Sequence, residues 1–109
     1  MLAAALDGVL GRNPNVRIIS QYKHGPYRFD FCVRTVDGRM VLIECDGAAY
    51  HRTRAQLRND RAKDRYARRL TGRACLRFTG SEIWRDARGC ARQIGSIAGA
   101  YGWDRLHRG

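Results

Sequence analysis

The sequence predicts a single α/β domain, residues 1–109, with a mixed four-stranded sheet flanked by helices in the order α-β-β-β-α-β-α. Three observations carry this. Short β-branched and aromatic runs recur at 16–22, 27–35, 39–45 and 74–79, each of strand length. Apolar residues at helical spacing lie before the first run and after the last. A long basic helical stretch separates the third and fourth runs, and such a step fits a right-handed parallel crossover.

The elements follow in order. Leu2, Leu6, Val9 and Leu10 form a helical stripe that stops at Gly11, and Asn13-Pro14-Asn15 is a turn. After the strand at 16–22, His24-Gly25-Pro26 breaks the chain. In the second strand Phe29, Phe31 and Val33 share one face. Val36-Asp37-Gly38 then sets the register. A type I turn with Gly38 left-handed pairs Thr35 with Arg39 and puts Asp30 opposite Glu44. A two-residue turn at Asp37-Gly38 would put Asp30 opposite Cys45 instead. The first register is preferred, because it collects Phe29, Phe31, Val33, Val41, Ile43 and Cys45 on one apolar side.

Thr53 can cap a helix from 54 to 71 that ends at Gly72, with a low-bulk inner stripe including Ala55, Leu57, Ala62, Tyr66, Ala67 and Leu70. Gly80-Ser81 opens a short turn through Ile83 and Trp84, with Trp84 expected in the core. Asp86 caps the last helix, where Cys90, Ile94, Ile97, Ala98 and Tyr101 share a face before Gly102.

The net charge is +11, and every basic residue but Lys23 and Lys63 is arginine. That balance points to a polyanion, most often nucleic acid. The stretch 52–73 holds nine Lys or Arg against Asp60 and Asp64. Cys32, Cys45, Cys75 and Cys90 form no C-x-x-C pair, so they are expected to be buried thiols in a reducing, cytoplasmic compartment rather than zinc ligands. The opening residues lack the basic lead of a secretory signal, and no stretch has transmembrane length. No membrane association is expected.

The chemistry concentrates in Val41-Leu42-Ile43-Glu44-Cys45-Asp46-Gly47-Ala48-Ala49-Tyr50-His51. Glu44 and Asp46 leave a buried strand on the same side, and the hairpin register adds Asp30. Converging carboxylates resist desolvation and repel one another; a divalent cation relieves both. A basic helix beside such acids suits a phosphodiester, with cations holding the strand.

Arg28-Phe29-Asp30-Phe31, Leu42-Ile43-Glu44-Cys45-Asp46-Gly47 with His51, Asp60 to Lys63-Asp64 with Gly72, and Leu76-Arg77-Phe78 together resemble the PD-(D/E)xK nuclease superfamily. Within it they are most similar to the very-short-patch-repair-like (Vsr-like) endonucleases. The resemblance spans roughly residues 21–84. It implies a restriction-endonuclease-like core and Mg²⁺- or Mn²⁺-dependent DNA cleavage. It also implies metal binding by Asp30, Glu44 and the Cys45 carbonyl, and catalytic roles for Asp30, Glu44, Asp46 and His51. His51 would assist water activation or bind the scissile phosphate. Arg52, Arg54, Arg58, Arg61 and Lys63 are the expected nucleic-acid contacts.

The chain departs from the family pattern in three places. Asp46 stands where the family usually has lysine, so it would be an extra ligand or orient water, or Lys63 would supply the charge. The first-helix acid of the relatives is missing or replaced by Asp7. The zinc cysteines of the repair enzymes have no counterparts. Two rival functions follow: a nucleic-acid-binding module that keeps the fold without the chemistry, and a basic domain for an acidic partner.

Overall fold

A computed structural model describes residues 1–46 and 53–100. Its elements are α1 (Leu2–Leu10), β1 (Val16–His24), β2 (Tyr27–Thr35), β3 (Met40–Asp46), α2 (Arg54–Thr71), β4 (Leu76–Thr79) and α3 (Gly80–Ile97). The order is the expected α-β-β-β-α-β-α. The strands form one mixed sheet in the order β1-β2-β3-β4, antiparallel except for the parallel β3–β4 pair. No helix among the described residues is long and apolar enough to cross a membrane.

Turn chemistry sets the β2–β3 register. The Gly38 amide donates to the Thr35 carbonyl, and the Thr35 amide donates to the Arg39 carbonyl. Gly38 has φ +90°, which a side chain would strain. The ladder then pairs Val33 with Val41 and Phe31 with Ile43, so Asp30 falls opposite Glu44.

Helices cover both faces. On one, α1 and α3 pack over Phe31, Val33, Val41, Ile43 and Phe78; on the other, Ala67 of α2 packs over Phe29, Cys32, Leu42 and Cys75. Phe29 therefore does not share a face with Phe31, contrary to the expected alternation. The register skips the Gln21–Asp30 pair, and Gln21 has φ +51°. The register is the same on both sides of this pair, so no residue is inserted, and the left-handed Gln21 marks where both strands change the face they present. Tyr22, Tyr27 and Phe29 consequently pack on the α2 side.

Both long helices begin with a reciprocal capping box, Thr53–Gln56 and Thr79–Glu82. The second box starts α3 six residues before Asp86, where the sequence suggested only a turn. Asp86 is still a cap: its backbone is extended, and its carboxylate accepts the Gly89 amide at 2.9 Å to start the second segment of α3. Because 80–85 is helical, Ile83 faces inward and Trp84 outward, 79% exposed, so Trp84 is not a core residue. Leu57 is also exposed, so it is not part of the inward stripe of α2. Cys32, Cys75 and Cys90 are buried, Cys45 is half-buried, and all four are free thiols.

Candidate active site

The β2–β3 ladder ends at Phe31–Ile43, and there the strands turn from pairing to chemistry. Beyond it the Cys45 amide donates to the Asp30 carboxylate at 2.7 Å. That bond draws the Asp30 side chain across to β3, beside Glu44.

Glu44 lies on the α2 face of β3, between Leu42 of the same face and the strand end. Burial pushes its carboxyl above the ordinary glutamate range. Lys63 opposes that rise through a hydrogen bond, and the adjacent Asp30 carboxyl adds to it. Two acids packed this closely in a partly dry setting favour sharing a proton or binding a cation.

Lys63 projects from the inner face of α2, one turn before the buried Ala67. Its ammonium contacts Glu44 Oε1, donates to the Arg28 carbonyl at 2.8 Å, and stands 5.0 Å from the Phe29 ring centroid. The face reversal at Asp30 brings Phe29 under it. Lys63 and Glu44 are each almost covered, with side chains 13% and 12% exposed.

Asp46 takes a different partner. Arg77 of β4 approaches it at 3.7 Å, Asp60 at 3.5 Å and Asp64 at 3.3 Å. Burial alone would weaken the guanidinium as a base, but Asp64 and Asp60 outweigh that and hold its pKa above the usual arginine value. The sequence suggested three acids converging at the hairpin end. The structure couples Asp30 with Glu44 and directs Asp46 toward Arg77. Among the described residues no three His, Cys, Asp or Glu side chains form a metal-binding group.

The other expected contacts divide. Arg54, Arg58 and Arg61 are exposed, and the helical repeat turns them away from the face that carries Lys63. His51 and Arg52 lie outside the described residues. Asp7 is exposed on α1, on the far side of the sheet from Glu44. Arg77 was missed as a polar site residue; its signal was an arginine alternating with Leu76 and Phe78 in a strand beside two helix acids. His24 lies near the end of β1, next to the Gly25 turn. It is half-buried, and its Nδ1 shares a 2.5 Å hydrogen bond with the Tyr66 hydroxyl. His107 lies outside the described residues.

No curated protein and no solved structure matches the chain. A family model, REase_MTES_1575, matches residues 10–96, which contain the whole sheet, α2 and nearly all of α3. With that span matched and the sheet, crossover and paired carboxylates in place, the chain belongs to the REase_MTES_1575 family, a restriction-endonuclease-like family.

Proposed function

We propose that this protein is a metal-dependent endonuclease that hydrolyses DNA phosphodiester bonds, of the Vsr-like kind. The observation that carries the reading is the Asp30–Glu44 pair with the Lys63 ammonium on Glu44. The donor set fits a hard cation. Two neighbouring carboxylates at a strand end, one of them Glu44 with its proton affinity raised by burial, are oxygen ligands that Mg²⁺ or Mn²⁺ prefers. Asp30, Glu44 and the Cys45 carbonyl would hold it. When bound, such a cation would supply Lewis-acid chemistry to a phosphate and to the attacking water.

The chain's own groups do the rest. Asp30 and Glu44 present the negative charge that would hold the ion at the strand end. Lys63 supplies the positive charge that lysine usually brings at position 46, and it reaches the acids from the helix instead. In this role it stabilises charge developing on the phosphate. Arg77 holds Asp46 back, so that carboxylate does not repel the incoming phosphate. His51 assists water activation or binds the scissile phosphate.

A plasmid-nicking assay tests the reading. Relaxed circles should accumulate with Mg²⁺ or Mn²⁺ and not with EDTA. Equal nicking by the wild type and by the Asp30→Ala/Glu44→Ala variant would sink it. One observation favours a second reading, a DNA-binding module without chemistry: the departure at Asp46, whose carboxylate faces Arg77. That protein would bind DNA equally with and without divalent metal and cut none.

A further inference from the structure

We propose that the outward face of α2 is a second nucleic-acid surface, which binds a DNA segment other than the one at Asp30 and Glu44. The proposal rests on reading DNA as the ligand of this chain, but not on cleavage. Arg54, Arg58, Arg61, Arg65 and Arg68 follow one another at steps of four and three residues. At 3.6 residues per turn this keeps all five within about 40° of a common line, about 21 Å long. All five are exposed.

Lys63 lies about 180° around the helix from that line. Its contact with Glu44, and the packing of Ala67 and Leu70, fix which side of α2 meets the sheet. The body of the helix, about 10 Å across, therefore stands between the arginines and the carboxylates. A strand seated on Glu44 is on the wrong side of α2 to reach the middle of the stripe.

The charge of the stripe is not offset within the helix. Its only acids, Asp60 and Asp64, turn to Arg77. Among the described residues none of the five arginines is in an ion pair. Like charges at i,i+4 oppose helix formation, so the arrangement has a cost that a polyanion removes. Duplex DNA carries one charge per about 1.7 Å of axis, more than enough to match the stripe along its length. Protein interfaces centre instead on apolar and aromatic residues with charge depleted, and this row contains arginine alone.

The test is duplex bridging in EDTA, where metal-dependent cutting is absent. One duplex is fixed to beads, the protein is added, and a labelled, unlinked second duplex is offered. The wild type should capture the second duplex. Arg58→Gln/Arg61→Gln/Arg65→Gln should remain on the beads and lose capture. The salt dependence of capture should flatten by about 0.9 in log–log slope per arginine removed, about 2.7 in all. The charge-matched Arg12→Gln/Arg88→Gln/Arg92→Gln variant, altered at exposed positions elsewhere, should still capture.

Absence of bridging by the wild type overturns the proposal. So does equal capture by the stripe variant, or equal loss in the charge-matched one. Bridging without nicking in Mg²⁺ would remove the nuclease reading and leave this surface standing. Nicking without bridging would do the reverse.

Discussion

The two faces of the sheet are built for different tasks. On the α1/α3 side Leu6, Leu10, Ile94, Ala91 and Ala98 are fully buried against Val33 and Ile43. On the α2 side the apolar cluster is small, and Ala67 is the one buried residue of the whole helix. The space that larger side chains would have filled is taken by Lys63, Glu44, Arg77 and Asp46, all of them mostly covered. One face supplies stability through area removed from water. The other gives up part of that area to hold charges in fixed relation. Substitutions should separate the two faces, stability changing on the first and chemistry on the second.

The largest effect expected is on the charged face. Glu44→Gln keeps the shape of the side chain and removes its charge, so nicking should fall by at least about 100-fold while the melting temperature changes little. On the apolar face Ile94→Ala should cost about 2–5 kcal/mol in denaturant unfolding and leave the metal affinity of the remaining folded protein unchanged. Leu70→Ala, at the half-buried edge of the α2 side, should cost only about 1–2 kcal/mol. Equal losses for these two would erase the distinction between the faces.

Arg77→Met lies between these cases. It leaves Asp46, Asp60 and Asp64 without their shared cation, at a cost of about 1–3 kcal/mol. Denaturant unfolding at neutral pH reads the loss.

Lys63→Met sharpens the comparison through a titration. Lys63 opposes the rise in the Glu44 pKa, so its removal should raise that pKa further, as read by NMR. A carboxyl whose folded pKa is raised binds its proton more tightly in the folded state. Stability from this group is present at acid pH and is lost as pH rises from the ordinary glutamate value through the folded one. The variant should extend that window upward, and nicking should set in at higher pH than in the wild type.

The thiols give a smaller effect. Burial pushes Cys32 to about 11 and Cys75 to about 12. Both should resist thiol reagents at neutral pH in the folded protein and react on unfolding. Above about pH 9 unfolded thiols ionise first, so stability should fall there. The smallest change expected is Trp84→Ala, within about 0.5 kcal/mol of wild type, since the ring is outside both clusters.

Local chemistry made much of this readable in advance. The Val36-Asp37-Gly38 turn has few conformations compatible with glycine at its end, so it set the β2–β3 register and with it the Asp30–Glu44 opposition. The Thr53 cap and the Asp86 cap were legible because an oxygen placed three residues before an unpaired amide satisfies it. The Thr79–Glu82 box has the same logic and was overlooked, because Gly80-Ser81 reads as a turn when no neighbour is in view.

Other features depend on contacts distant in sequence. The reversal at Gln21 and Asp30 moves Phe29 to the α2 side, which no alternation rule anticipates. Gly25 shows the same dependence: it sits at φ +56° where a methyl group would collide with the Tyr66 hydroxyl, a residue of α2. Which basic residue meets Glu44 was open in the sequence, where Lys63 is one of nine cations between 52 and 73. The rotation of α2 about its axis chose it. Burying Ala67 and Leu70 points Lys63 at the acids and sends the arginine row outward.

The sequence by itself determined the elements, their order, the hairpin register and the excess of positive charge, because each arises from neighbours within a few residues. Only the tertiary structure decided which charges meet. Packing couples residues far apart in the chain, and the small apolar cluster under α2 orients every cation on that helix at once.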